Sequence, residues 1–286
     1  MGRDVLRVGR IRYINCYPVY GAIERGIVPL DGQLVDGVPT QLNRLMASGD
    51  IDISVVSAVE YAKDAHQFLL LPELGITSDG PVRSVMLFSK RDARDLGGRR
   101  VVVSRSSMTS VHLLELLFEH VWKCRPEFVP GDAEMGDIER FSDEQHDARL
   151  VIGDAALKLF DAASRGGPWA ERYPHIEDLG AVWKQWTGLP FVFAVWVAQR
   201  RTPVHAALGA HASLIASRDW GLAHLDQLSA QAALASGVPV EACREYFEGL
   251  DYRLSYPHLA GLTEFFRRLV LAGRVPDGTL AFLPAA

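Results

Sequence analysis

Ile51-Asp52-Ile53-Ser54-Val55-Val56-Ser57-Ala58-Val59-Glu60 is the stretch that decides the fold of this 286-residue chain. Residues 51–56 form a short, β-branched apolar run of strand type. Ser57-Ala58-Val59-Glu60 is a capping-box sequence, suited to opening a helix. A strand running straight into a helix N-terminus is the recurrent join of α/β architecture with mostly parallel sheets. The segment just upstream agrees: Pro39 opens a helical pattern with Leu42, Leu45 and Met46 on one face, and Gly49 ends it.

The same alternation extends in both directions. Residues 5–11 read as a first strand, 12–17 as a loop, and Pro18 as part of the first turn of a short helix that Gly26 closes. Downstream, strand-like runs at 69–71 and 83–89 precede a charged segment, 90–100, that carries Gly97-Gly98. This composition break places a crossing between lobes. A strand at 101–103 leads into the hydroxyl-rich turn 104–110 and a helix bearing Val111, Leu114, Leu117, Phe118 and Val121. Residues 149–153 form another buried strand, and 191–197 return as a strand at a second crossing. From Thr202 the pattern is helical, with Thr202-Pro203 as cap and first turn and a late apolar stripe of Leu262, Phe265, Phe266, Leu269 and Val270. The expected division is an outer lobe of 1–90 plus 196–286, holding both termini, and an inner lobe of 91–195.

Composition narrows the partners. The net charge of −5 argues against wrapping nucleic acid, because phosphate-binding domains carry a basic excess. The longest apolar run, 191–198, falls well short of the roughly 20 residues that cross a bilayer. The first residues lack the apolar core of roughly 7–15 residues that a secretory signal needs. Cys16, Cys124 and Cys243 are odd in number and widely spaced, with no CxxC pair. The expected compartment is the cytoplasm, and the expected partner is a small molecule, with neither nucleic acid nor membrane.

No GxxxxGK[ST] loop, GxGxxG fingerprint, HExxH helix or GxSxG elbow occurs. His112 and His120 would share a helix face but stand too far apart along it to chelate one ion. Neither a metal nor a nucleotide cofactor is expected.

Ligands in open α/β sheets bind outside the carboxyl ends of the strands. Several segments fall there, each with a structural alternative. Asn15, in Tyr13-Ile14-Asn15-Cys16-Tyr17-Pro18, either contacts a ligand or caps the helix that follows. Ser57 has a full structural job in its capping box. Ser104-Arg105-Ser106-Ser107-Met108-Thr109-Ser110 has more hydroxyls than capping requires, at a helix N-terminus suited to an anion. Asp154 is a helix cap first and a ligand group second. Trp186-Thr187-Gly188-Leu189-Pro190-Phe191 reads as hinge packing that also borders a cleft.

Taken together and in order, these stretches resemble the MqnA family, the chorismate dehydratases of the futalosine route to menaquinone. The matching segments are Tyr13-Ile14-Asn15-Cys16 with Pro18, Pro39-Thr40-Gln41-Leu42-Asn43, Gly49-Asp50-Ile51-Asp52, Val56-Ser57 with Glu60-Tyr61, and Leu71-Pro72-Glu73-Leu74. Ser84, Ser107 with Thr109-Ser110, Ile152-Gly153-Asp154 and the block from Thr187 to Trp196 complete the set. Tyr17 stands where the family leads one to expect leucine. The Asn15 loop and the Thr187–Trp196 block are the more specific parts; Gly-Asp-Ile-Asp occurs widely in two-lobed solute binders.

The resemblance implies a two-lobed α/β fold of the periplasmic-binding-protein type II kind, with a ligand cleft between lobes. It implies dehydration of the dicarboxylate chorismate to 3-[(1-carboxyvinyl)oxy]benzoate without metal or organic cofactor. It places Asn15 at the catalytic position, and Ser57, Ser84, Ser107, Thr109, Ser110, Asp154, Thr187 and Gly188 around the substrate. Two other functions share the scaffold: 1,4-dihydroxy-6-naphthoate synthase of the same pathway, and a non-catalytic solute-binding protein.

Overall fold

The deciding stretch folds as its pattern dictates, with a strand at Ile53–Ser57 and a helix at Ala58–Lys63. Ser57 is the N-cap, and its Oγ accepts the Glu60 N–H at 3.3 Å. The computed structural model describes residues 5–104, 108–131 and 145–284. Its strands are β1 (Arg7–Arg10), β2 (Gln33–Asp36), β3 (Ile53–Ser57), β4 (Phe68–Ser78), β5 (Val85–Ser89), β6 (Arg100–Ser104), β7 (Glu127–Gly131), β8 (Ala148–Ile152), β9 (His175–Asp178) and β10 (Phe191–Gln199).

They form two sheets of the same design. The first has the order β2-β1-β3-β10-β4, the second β7-β6-β8-β5-β9. In the first, β1 runs parallel to β2 and β3, while β10 enters antiparallel to β3. In the second, β6 runs parallel to β7 and β8, while β5 enters antiparallel to β8 and β9. Each sheet thus has a parallel βαβ core with a reversed strand beside it, the arrangement expected when a chain enters from elsewhere rather than through a local crossover.

Each sheet has its own core. Leu42 and Met46, from the helix Pro39–Ala47, pack with Val56, Tyr61, Val195 and Leu262 against the first. Met86, Phe88, Val151, Ala155, Leu159 and Tyr173 pack on the second. The helical face anticipated from Leu42, Leu45 and Met46 is the buried one, because one turn of spacing aligns those side chains toward the sheet. Among the described residues no helix is long and apolar enough to cross a membrane.

The chain divides differently from the expected 1–90 plus 196–286 and 91–195. One unit comprises Met1–Thr77, Val192–Leu228 and Asp251–Ala286; the other comprises Ser78–Phe191 and Ser229–Leu250. The first crossing therefore precedes β5, which pairs with β8 and β9 of the second sheet. The charged run at 90–100 instead holds a short turn, Ala93–Asp95, and the start of β6. The late excursion has a physical cause as well. Helix Val240–Gly249 joins the second unit through Tyr246, which donates to Ser84 Oγ at 2.8 Å, and through a 2.6 Å pair between Arg83 and Glu245.

The Leu71-Pro72-Glu73-Leu74 segment is a kink within β4. Glu73 has a left-handed backbone (φ 57°), unusual for a non-glycine residue. Helix Val204–Ala223 satisfies the carbonyls exposed by the kink: His211 Nε2 donates to Pro72 O at 2.8 Å, and buried Arg218 donates to Glu73 O at 2.6 Å.

Candidate active site

In the first unit, the site begins where β1 ends. A single 3₁₀ turn, Ile14–Cys16, joins that strand to the helix Tyr17–Glu24, with Pro18 in its first turn. The turn closes through Cys16 N–H on Tyr13 O at 3.0 Å. Neither the turn nor the helix has a side-chain cap. Asn15 is therefore not the helix cap that its position allows. Its Oδ1 is buried and, among the described residues, accepts no hydrogen bond. A buried amide oxygen left so costs about 1–3 kcal/mol, and such exceptions mark sites held for another purpose.

The Asn15 turn rests on a rigid base. Tyr20, one turn into the helix, donates to the Gly9 carbonyl of β1 at 2.9 Å and accepts the Trp196 indole N–H at 2.9 Å. Burial pushes the Tyr20 phenol far above its usual range, so it stays neutral. On the other side, helix Val204–Ala223 packs so closely that a Cβ at Gly221 would lie 2.2 Å from Pro18 O. At the mouth of the loop, Arg10 and Arg12 both hold Asp36, the Arg10 Nε at 2.5 Å. The Arg10 hydrogen bond is the main reason the Asp36 carboxyl sits below the ordinary range.

Ser57 lies at the carboxyl end of β3, beside β1, and pairs in register with Ala194 of β10. Its oxygen serves the Glu60 cap; the hydroxyl hydrogen is a separate donor.

The second unit repeats this plan. The parallel strands β6 and β8 end side by side. Helix Met108–Leu117 follows the first and carries buried Thr109 and Ser110 in its opening turn. Helix Gly153–Ser164 follows the second, with Ile152 rather than Asp154 at its N-cap. Asp154 thus lies in the first turn, where the helix dipole favours a negative charge, and not at the cap position expected of it. Ser84 comes next to them, since its carbonyl accepts the Gly153 N–H at 2.8 Å. Two helix N-termini and three hydroxyls, Ser84, Thr109 and Ser110, converge on one sheet edge. Backbone donors plus hydroxyls of this kind suit a carboxylate. Ser107 lies outside the described residues.

Thr187 and Gly188 are used locally. Thr187 Oγ1 donates to Trp183 O at 2.9 Å and accepts the Leu189 N–H at 3.1 Å. Gly188 ends helix Leu179–Thr187 with φ 74°, a conformation that favours glycine, and its N–H goes to Lys184 O at 2.8 Å. Both shape the turn that feeds β10. His120 stacks on the neighbouring Trp186 with ring centroids 5.3 Å apart. Among the described residues, no three His, Cys, Asp or Glu side chains gather as a metal site.

Sequence reasoning missed several residues that hold this site. Trp196 belongs to the Thr187–Trp196 block, but Tyr20, Asp178 and Tyr246 carry no local signal. Asp178 accepts the backbone N–H groups of Val82 (3.0 Å), Arg83 (2.6 Å) and Ala181 (3.1 Å), tying the segment before Ser84 to a helix start. Its burial still raises its carboxyl above the usual value, against the lowering effect of those N–H groups.

Comparison with known proteins matches this architecture. Residues 6–270 fit the family model described as menaquinone biosynthesis. A chorismate dehydratase of Thermus thermophilus is 33% identical over 275 residues, covering 92% of this chain and 95% of the relative. A second chorismate dehydratase, from Campylobacter jejuni, is 28% identical over 191 residues, covering 65% of this chain and 64% of its own. Among solved structures, a protein of Archaeoglobus fulgidus superposes with a TM-score of 0.76 at 18% identity, covering 94% of this chain and 98% of its own. The periplasmic aliphatic sulphonate binding protein of Escherichia coli gives 0.65 at 14% identity, covering 100% and 95%. The fold is that of the periplasmic binding proteins, and the sequence match over nearly the whole length is closer and more specific: the chain belongs to the MqnA family of menaquinone biosynthesis.

Proposed function

We propose that this protein is a hydro-lyase that removes water from chorismate, giving 3-[(1-carboxyvinyl)oxy]benzoate. The observation that carries the reading is Asn15: a half-buried side chain on the carboxyl edge of the first sheet, whose buried Oδ1 has no partner among the described residues. Similarity to the Thermus thermophilus chorismate dehydratase over 92% of the chain supports it.

The reaction is redox-neutral. The C3 hydrogen and the C4 hydroxyl leave together as water, and the ring becomes aromatic. Catalysis then needs orientation, binding for two carboxylates and a donor for the departing hydroxyl. In this reading the Asn15 amide hydrogen-bonds that hydroxyl or the enolpyruvyl group, its open Oδ1 accepting the hydroxyl hydrogen and its Nδ2–H serving as donor. A neutral amide is a poor base, so the C3 proton passes to the substrate's own carboxylate, which hands it on to the departing C4 oxygen as the C–O bond breaks and water forms. Ser84, Thr109 and Ser110, with the N-termini of the helices Met108–Leu117 and Gly153–Ser164, supply donors for a carboxylate in the second unit. Ser57 supplies its hydroxyl hydrogen in the first. Action in the cytoplasm completes the proposal.

The test is direct. Purified protein incubated with chorismate should yield a product lighter by one water by mass spectrometry, at an unchanged rate when a chelator is added. Chorismate left intact by well-folded protein would refute the reading.

A further inference from the structure

Ser84 is held with more care than its position requires. Its carbonyl takes the Gly153 N–H at 2.8 Å. The residue before it, Arg83, has a left-handed backbone (φ 60°), and its N–H is gripped by Asp178 at 2.6 Å. Strain of this kind persists where surrounding contacts over-determine a conformation, and it clusters at ligand clamps. The side chain is fixed as well. Tyr246, fully buried, donates its phenolic hydrogen to Ser84 Oγ at 2.8 Å. Ser84 is itself only 4% exposed, and among the described residues its hydroxyl accepts this bond and donates none.

A hydroxyl whose oxygen already accepts a strong donor has one role left to it, that of donor. A phenol is a more acidic donor than an alcohol, so the bond runs from Tyr246 to Ser84. Accepting it also polarises the serine and strengthens the next bond in the chain. Ser84 itself stands beside the first turn of helix Gly153–Ser164, its carbonyl on the Gly153 N–H, and the N-terminus of a helix favours an anion.

We infer that Tyr246 is a positioning residue that sets Ser84 as a dedicated donor to a substrate carboxylate. This rests on the chorismate reading above and deepens it. It also gives a role to part of the chain's late excursion: helix Val240–Gly249, within the second unit, brings this phenol to Ser84.

Tyr246→Phe keeps the ring and removes the donor. Michaelis constants for chorismate should then rise about tenfold, the loss expected when a hydrogen bond to a charged group is weakened. Turnover number should stay within about threefold, because the contact is made in ground and transition states alike. Ser84→Ala should raise KM to the same degree or more, and the double variant should be no worse than Ser84→Ala alone, since the phenol acts through the serine. Melting temperatures should shift by only a few degrees. An unchanged KM in Tyr246→Phe, or effects that multiply in the double variant, would overturn the inference. So would a melting temperature that collapses in Tyr246→Phe, which would make the phenol a core residue. A wild type that neither binds nor converts chorismate removes the reading beneath it, a failure readily told apart from a working wild type with an equally good Tyr246→Phe.

Discussion

Trp196 and Tyr20 are joined by a 2.9 Å hydrogen bond, the indole N–H donating to the phenol, which donates in turn to Gly9 of β1. This buried relay fastens the reversed strand β10, the first parallel strand and the helix behind Asn15 into one unit. It gives a structural meaning to the last residue of the Thr187–Trp196 block.

Tyr20→Phe leaves the Trp196 N–H buried without an acceptor. Stability should fall by about 1–3 kcal/mol, the usual cost of one orphaned group. Calorimetry should show the melting temperature down by several degrees. Chorismate turnover should fall with it, because the Asn15 turn loses its footing. A variant as stable as wild type would show that the relay carries no weight.

Asn15→Ala should separate function from stability. With no capping bond to lose and an unsatisfied oxygen removed, the melting temperature should hold or rise slightly. Turnover should drop by about 100- to 1,000-fold, as for the loss of an oxyanion-hole donor. Asn15→Asp should be at least as damaging, since it removes the N–H donor and sets a negative charge beside a dianion. Near-normal turnover in both would strike Asn15 from the mechanism.

Gly221→Ala tests the packing beneath the same turn. The new methyl would meet Pro18 backbone atoms at 2.2–2.8 Å, and backbone cannot swing aside as a side chain can. Overpacking of this sort costs about 1–3 kcal/mol. The displaced helix begins two residues after Asn15, so kcat should suffer beyond what the fall in melting temperature explains. Unaltered kinetics would mean that the Asn15 turn tolerates movement of Pro18.

Acid stability should depend in part on Asp36. Arg10 and Arg12 hold its carboxyl below the unfolded value of 3.8. The ionised form is therefore favoured by folding, so its contribution is present above that value and is lost as pH falls through the lower, folded one. In Asp36→Asn the gap in melting temperature between pH 7 and pH 3 should narrow. Because the pair lies at the surface, the change should be small and should shrink further in high salt. A gap as wide as in wild type would show that the pair contributes nothing.

Thr187→Val should behave as a helix-end substitution. The hydroxyl bridges Trp183 O and the Leu189 N–H, so stability should drop by about 1 kcal/mol. KM should stay within about twofold. A tenfold rise would mean that the hydroxyl also reaches the substrate.

Local signals in the chain were sufficient for the interior of the fold. Strand-to-helix joins at Ser57 and Gly153, the apolar face of Leu42 and Met46, and the strands β3, β6, β8 and β10 follow from contacts within a few residues. So does the placing of Asn15, Thr109, Ser110 and Asp154 after strand ends. The strands that escaped notice, β2, β7 and β9, are all at sheet edges. Their sequences, Gln33–Asp36, Glu127–Gly131 and His175–Asp178, are half-polar, because an edge strand has one neighbour and a wet side. Pro130 is tolerated there for the same reason.

What tertiary structure alone decided is which polar groups remain unspent. By sequence, Asn15 is either a cap or a ligand group, Asp154 is a cap first, and only the family resemblance sets Thr187 at the substrate. In the fold, Asn15 caps nothing, Asp154 lies past the cap, and Thr187 is consumed by its own helix end. The partner of Ser84 stands 162 residues away, on a helix that helical periodicity could identify but not place. Hydrogen-bond accounting is global: a donor is free or used according to what long-range packing brings within 3 Å, and no local pattern encodes that sum.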